Sequence, residues 1–185
     1  MTRRETVLLV ASAACAAAVG CGLGDKPVLP PVLPPDLQVG STEDGAGDLN
    51  VVYDFANVPA PLSESAVVGS LVLYTSIEPA FDGVVEADPD LSLYPFAAEI
   101  PLIMELVAVD SGAAVRIGGV TLENPGDQAE IVVGPGTHLH PEWQLIAPVD
   151  VVPEPHRLSF RLVDPSGTFG ATETYELTLE VVEGS

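Results

Sequence analysis

The chain has few positive charges. Six Lys and Arg stand against 27 Asp and Glu in 185 residues, a formal net charge of −21. A surface of that sign repels phosphate backbones and anionic headgroups, which argues against nucleic-acid binding and favours cations, basic partners or simple solubility. Aromatic residues make up only 5% of the chain, too few to suggest a stacking platform for sugars. Cysteine is confined to Cys15 and Cys21, so no pair remains downstream for a disulfide, a zinc ribbon, an iron–sulfur cluster or a thiol nucleophile. A domain lacking those supports rests on its apolar core alone. Catalytic signatures are missing as well: there is no Gly-x-Ser-x-Gly elbow, no His-Glu-x-x-His, no phosphate loop and no dinucleotide fingerprint. Acidic residues are everywhere, but nothing singles out a carboxylate pair for hydrolysis. The expectation is a protein that is not an enzyme.

What is present is apolar and punctuated. Hydrophobic residues are 47% of the chain, enough for a packed core, and 18 Pro and 17 Gly are spread between Val- and Leu-rich runs. That punctuation predicts short strands joined by turns.

Residues 1–20 read as a leader. Arg3 and Arg4 precede an uncharged, mostly apolar stretch from Thr6 to Val19, too short to span a bilayer core but suited to a signal-peptide h-region. No later segment has the length and apolarity of a membrane-spanning helix. The leader ends in Ala18-Val19-Gly20-Cys21, which resembles the lipobox of bacterial lipoproteins. Ala18 stands where that family usually has Leu, and Cys15 after Ser12-Ala13-Ala14 is a rival site that would leave a cramped apolar stretch. The resemblance implies cleavage before Cys21, a diacylglyceryl thioether on its sulfur, further acylation such as palmitate, and residence in the cell envelope with the lipid bilayer as a partner. Each buried methylene contributes about 0.8 kcal/mol, so two or three chains make an anchor that is hard to reverse. Gly22, rather than Asp, follows the cysteine, which by the same resemblance favours the outer over the inner membrane. Thr2-Arg3-Arg4-Glu5-Thr6-Val7-Leu8 also resembles a twin-arginine signal in part, with Thr6 where a large apolar residue is usual, so both export routes stay open.

Residues 21–48 are expected to form a tether. Val28-Leu29-Pro30-Pro31 is repeated as Val32-Leu33-Pro34-Pro35, and paired prolines favour extended polyproline II. Gly40 to Asp48 is polar and glycine-rich and reads as flexible linker. Asp44, Asp48 and Asn50 there lack the alternating ligands and closing Glu of a calcium loop. A proline-binding partner for the repeat is the functional alternative to a spacer.

Residues 49–185 are expected to fold as an all-β domain. Leu49, Val51, Tyr53 and Phe55 alternate with polar neighbours, and Val67 to Ile77 is a second apolar run. Ile100 to Val109 is apolar on both faces except at Glu105, which predicts a central strand covered on two sides. Shorter strands are expected at Ala114–Ile117, Val120–Glu123, Glu130–Val133 and Trp143–Ala147. The clearest alternation lies in Leu158/Phe160/Leu162 and in Tyr175/Leu177/Leu179/Val181. Eight or nine such strands argue for an antiparallel β-sandwich. The pattern resembles immunoglobulin-like sandwiches without their Cys–Trp–Cys set, and a jelly roll is the alternative.

One cluster carries candidate chemistry. In the run Thr137 to Trp143, His138 and His140 fall on one face of an extended segment, and Glu142 follows at the same period. With His156 or Glu142 they could hold one zinc or copper ion. The ordinary alternative is a loop-to-strand junction with solvated histidines, Pro141 interrupting the strand. Asp82, Glu86, Asp88 and Asp90 offer a calcium loop, against the plainer reading of a soluble acidic loop. Trp143 reads as a core plug. The leading expectation is an envelope lipoprotein presenting a non-catalytic acidic β-sandwich to another envelope component, with no cofactor. The alternative is a copper- or zinc-binding envelope domain using His138, His140 and His156.

Overall fold

The computed structural model describes residues 35–182, and within them the chain is all-β apart from one 3-10 turn at Pro89–Leu91. Residues 1–20 and Cys21 lie outside the described residues. Among the described residues, no helix is long and apolar enough to cross a membrane.

Among the described residues, thirteen strands form two sheets. The smaller contains β1 (Leu37–Glu43), β2 (Ala46–Val52), β5 (Phe81–Gly83) and β10 (His138–Leu139), in the order β10-β5-β1-β2. The larger contains β3 (Ala60–Val68), β4 (Leu71–Ser76), β6 (Ile100–Val109), β7 (Ala113–Ile117), β8 (Val120–Leu122), β9 (Gln128–Val133), β11 (Glu142–Pro148), β12 (His156–Val163) and β13 (Tyr175–Val181). Its order is β8-β7-β11-β4-β3-β13-β12-β6-β9, and the sheet curls until the end strands β8 and β9 touch. The result is a sandwich close to a barrel, the all-β architecture expected. Two pairings, β1 with β5 and β13 with β3, are parallel, so the ladders are not uniformly antiparallel.

Alternation builds the core. Leu158, Phe160 and Leu162 of β12, like Leu177 and Leu179 of β13, are fully buried, while their neighbours in sequence face outward. Leu37 and Val39 of β1, Leu49 and Val51 of β2 and Phe81 of β5 supply the small sheet's share. Fully burying each such side chain contributes about 1.5–3 kcal/mol. Phe81 meets Phe160 edge-on at 6.0 Å across the two sheets and lies 6.3 Å from Trp143. Trp143 is completely buried, as expected of a core plug.

Two expectations need correction. Among the described residues the first strand starts at Leu37, ahead of the Leu49 boundary expected for the domain: the stretch Gly40 to Asp48, expected to be linker, makes the β1–β2 hairpin, with Val39 opposite Val51 and Ser41 opposite Leu49. The apolar run Val67 to Ile77 is divided at Gly69 (φ 64°) between β3 and β4. And β6 is covered on one face only. Leu102, Met104 and Leu106 are buried, whereas Val107 on the opposite face is 39% exposed. There Glu105 accepts from Arg161 at 3.0 Å and from Gln128 at 3.2 Å.

Candidate functional site

The short strand β5 lies between β1 and β10, and register decides what meets on its two faces. Leu37, Phe81 and Leu139 are register neighbours and turn inward, while Gln38, Asp82 and His138 are neighbours one residue on and turn outward. Asp36, one residue before β1, joins that outward row. Asp36, Asp82 and His138 each bring a potential ligand atom within 4.8 Å of the others.

Neighbouring groups hold the carboxylates in place. Gln38 Nε2 donates to Asp82 Oδ2 at 3.0 Å, and the other oxygen of Asp82 contacts His138 Nδ1. The Ala80 amide donates to Asp36 Oδ1 at 3.0 Å and to Glu78 Oε2 at 3.1 Å, fixing both carboxylates around the loop that carries the cis Glu78–Pro79 bond. His140 Nδ1 lies 3.1 Å from the Ile77 carbonyl and 3.7 Å from Glu78 Oε1. The His138 and His140 rings stand edge to face with centroids 4.4 Å apart, so the shared face expected for the pair is what the structure has.

Charge at this corner is crowded. Burial raises the Glu78 carboxyl above its ordinary value, and a hydrogen bond with Asp36 and the Asp36 charge push the same way. The His138 imidazole is raised by its hydrogen bond to Asp82 and by the charges of Asp82, Asp36 and Glu78, against a smaller lowering by burial. The nearby Tyr53 phenol is pushed up to about 12 by burial and by the charges of Asp36, Asp54 and Glu78. All three arginines of the described residues are engaged elsewhere: Arg116 with Glu142, Arg157 with Glu176 and Arg161 with Glu105. Asp82 and His138 form part of the wall of an open cleft of about 580 Å³ that Glu86 and Asp88 also line. Asp36 and Glu78 face a second cleft, of about 370 Å³, beside Tyr53.

The three-histidine set does not assemble. His156 opens β12 in the large sheet, opposite Leu179, and its Nδ1 lies 2.7 Å from the Glu154 carbonyl. Glu142 does not complete the site either, because it accepts from Arg116 at 2.5 Å and from Gln144 at 2.6 Å on β11. The acidic loop also divides. Asp82 belongs to the histidine corner, whereas Asp88 caps the 3-10 turn, its Oδ1 accepting from the Asp90 and Leu91 amides at 3.1 and 3.3 Å. Among the described residues, Glu86, Asp88 and Asp90 join no group of converging ligand atoms. Sequence reasoning missed Asp36, Gln38 and Glu78. A signal for the first two was present, since Asp36 and Gln38 alternate with Leu37 and Val39, but the adjoining Pro-rich repeat masked it.

No protein-family model matches the chain, and no curated protein does. A solved structure described as the N-terminal domain of PorA superposes over 77% of this chain and 92% of its own, with a TM-score of 0.42 and 13% sequence identity.

Proposed function

We propose that this chain is an exported lipoprotein that displays an acidic all-β module at a membrane surface, and that the module works by contact with another envelope component rather than by catalysis. The observation that carries the reading is the run Ala18-Val19-Gly20-Cys21 at the end of an uncharged apolar stretch headed by Arg3 and Arg4. The position of the first strand supports it. The Val-Leu-Pro-Pro repeat lies in sequence between Cys21 and β1, where a lipoprotein's spacer is expected. At about 3.1 Å per residue in polyproline II, eight such residues reach roughly 25 Å. That is room for a folded module to stand clear of headgroups that its negative charge would repel. Gly22 after the cysteine favours the outer membrane as the destination.

Fractionation tests the anchor. Wild-type protein is expected in the membrane fraction with an acylated Cys21, and Cys21→Ala in the soluble fraction of the envelope. Equal partitioning of the two proteins, or an N-terminus cut elsewhere, would overturn the reading.

A further inference from the structure

We propose that Asp36, Asp82 and His138 bind one divalent transition-metal ion at the corner where the chain enters the small sheet. The ligand set is new relative to the three histidines, and it does not depend on the fate of Cys21. Three strands of separate sequence origin bring these groups together: Asp36 precedes β1, Asp82 sits in β5 and His138 begins β10. The register of β1, β5 and β10 sets this convergence, so it follows from the fold rather than from a chance meeting of exposed loops.

The chemistry of the donors selects the class of ion. One imidazole with two carboxylates suits a borderline ion such as zinc better than calcium, which takes six to eight oxygens. Ligand atoms around a tetrahedral zinc at about 2.0–2.2 Å lie roughly 3.3 Å apart. Atoms already within 4.8 Å of one another need only a small side-chain closure to reach that spacing. His138 is exposed, which leaves a coordination position open to water.

Two further observations point to a cation. Each ligating carboxylate has one oxygen held by an outer donor, Asp82 by Gln38 Nε2 and Asp36 by the Ala80 amide, which orients the remaining oxygen as outer-sphere partners do at metal sites. Moreover, Asp36, Glu78 and Asp82 gather at a corner where, among the described residues, no Arg provides compensation.

The test uses the purified full chain, stripped with EDTA and titrated calorimetrically with zinc chloride, with cobalt(II) as a visible-absorption probe. One zinc per chain, visible cobalt bands and no competition from equimolar calcium are expected. His138→Ala and Asp36→Asn should each weaken zinc binding about 100-fold, Gln38→Ala about tenfold, and His156→Ala not at all. In wild-type protein, zinc should shift the ring-proton NMR signals of His138 and leave those of His156 in place, a readout that needs no variant to fold. Absence of saturation at millimolar zinc, undiminished binding by a folded His138→Ala, or equal shifts at His156 would each overturn the site.

Discussion

The phenol oxygen of Tyr175, on β13 of the large sheet, accepts the backbone amide of Val51, on β2 of the small sheet, at 3.1 Å. β2 is an edge strand, and this bond, with the Leu49 amide donating to the Gly170 carbonyl at 2.9 Å, occupies amides that would otherwise invite another strand. Tyr175 also stacks on Phe55 with centroids 4.9 Å apart. Tyr175→Phe keeps the stack and orphans the amide, which costs about 1–3 kcal/mol. Urea titration should show the loss, and hydrogen exchange at Val51 should accelerate. An unchanged exchange rate at Val51 would mean that the phenol does not protect it.

Trp143 ties the large sheet to the loop that feeds the histidine corner. Its indole N–H donates to the Pro79 carbonyl at 3.0 Å from a fully buried position. Trp143→Ala removes the ring that packs near Phe81 and Phe160 and should cost about 3–5 kcal/mol. Trp143→Phe, which loses mainly the hydrogen bond, should fall well short of that. Denaturation midpoints of the two variants check the order.

Gly83 and Gly118 should respond differently to the same substitution. A Cβ on Gly83 would lie 1.7 Å from the Gly134 carbonyl oxygen, so backbone must move before Ala fits. Gly118 has φ 56° with no atom within 4 Å of such a Cβ, and Ala there bears only the left-handed strain. Gly83→Ala should cost about 3 kcal/mol or more and Gly118→Ala about 1–2 kcal/mol. Thermal unfolding distinguishes them. A milder effect at Gly83 would show that β5 and the Gly134 turn are not packed this closely.

Asp164 predicts the acid side of the stability curve. Burial works to raise its pKa, but the Ser166 hydroxyl and the amides of Phe169, Ser166 and Thr168 outweigh it and hold the carboxyl below its ordinary value. Those contacts run from 2.7 to 3.0 Å. A depressed folded pKa means that the stabilisation is complete above the unfolded value of about 3.9 and is lost as pH falls through the folded one. Asp164→Ala should therefore cost about 1–3 kcal/mol at neutral pH, with the gap to wild type closing below about pH 4. A gap that stays constant down to pH 2 would contradict this.

The sequence was most informative where one face is wet and the other dry. Period two is plain in β12 and β13, and those strands were readable almost to the residue. It was least informative where glycine carries a steric duty. Gly40 reads as linker, yet a Cβ there would lie 2.4 Å from the Tyr94 carbonyl oxygen, and Gly45 and Gly47 take positive φ in the β1–β2 hairpin. Of the candidate site, the local part was legible, since His138 and His140 share a face through simple alternation. The distant part was not. Joining Asp36 and Asp82 to His138 requires the parallel β1–β5 pairing, which no short-range pattern encodes, and proximity in sequence wrongly recruited His156.

That parallel pairing gives the small sheet a mechanical character. β1 is flanked by β5 on one side and β2 on the other, and Leu37 is opposite Phe81 while Gln38 is opposite Val52. Tension arriving through Pro35 therefore meets both ladders within the first two residues of the strand, together with the Leu37 amide bond to the Ala80 carbonyl at 2.8 Å. An outermost strand could be peeled one bond at a time, but here traction on the N-terminal segment has to shear both neighbours at once.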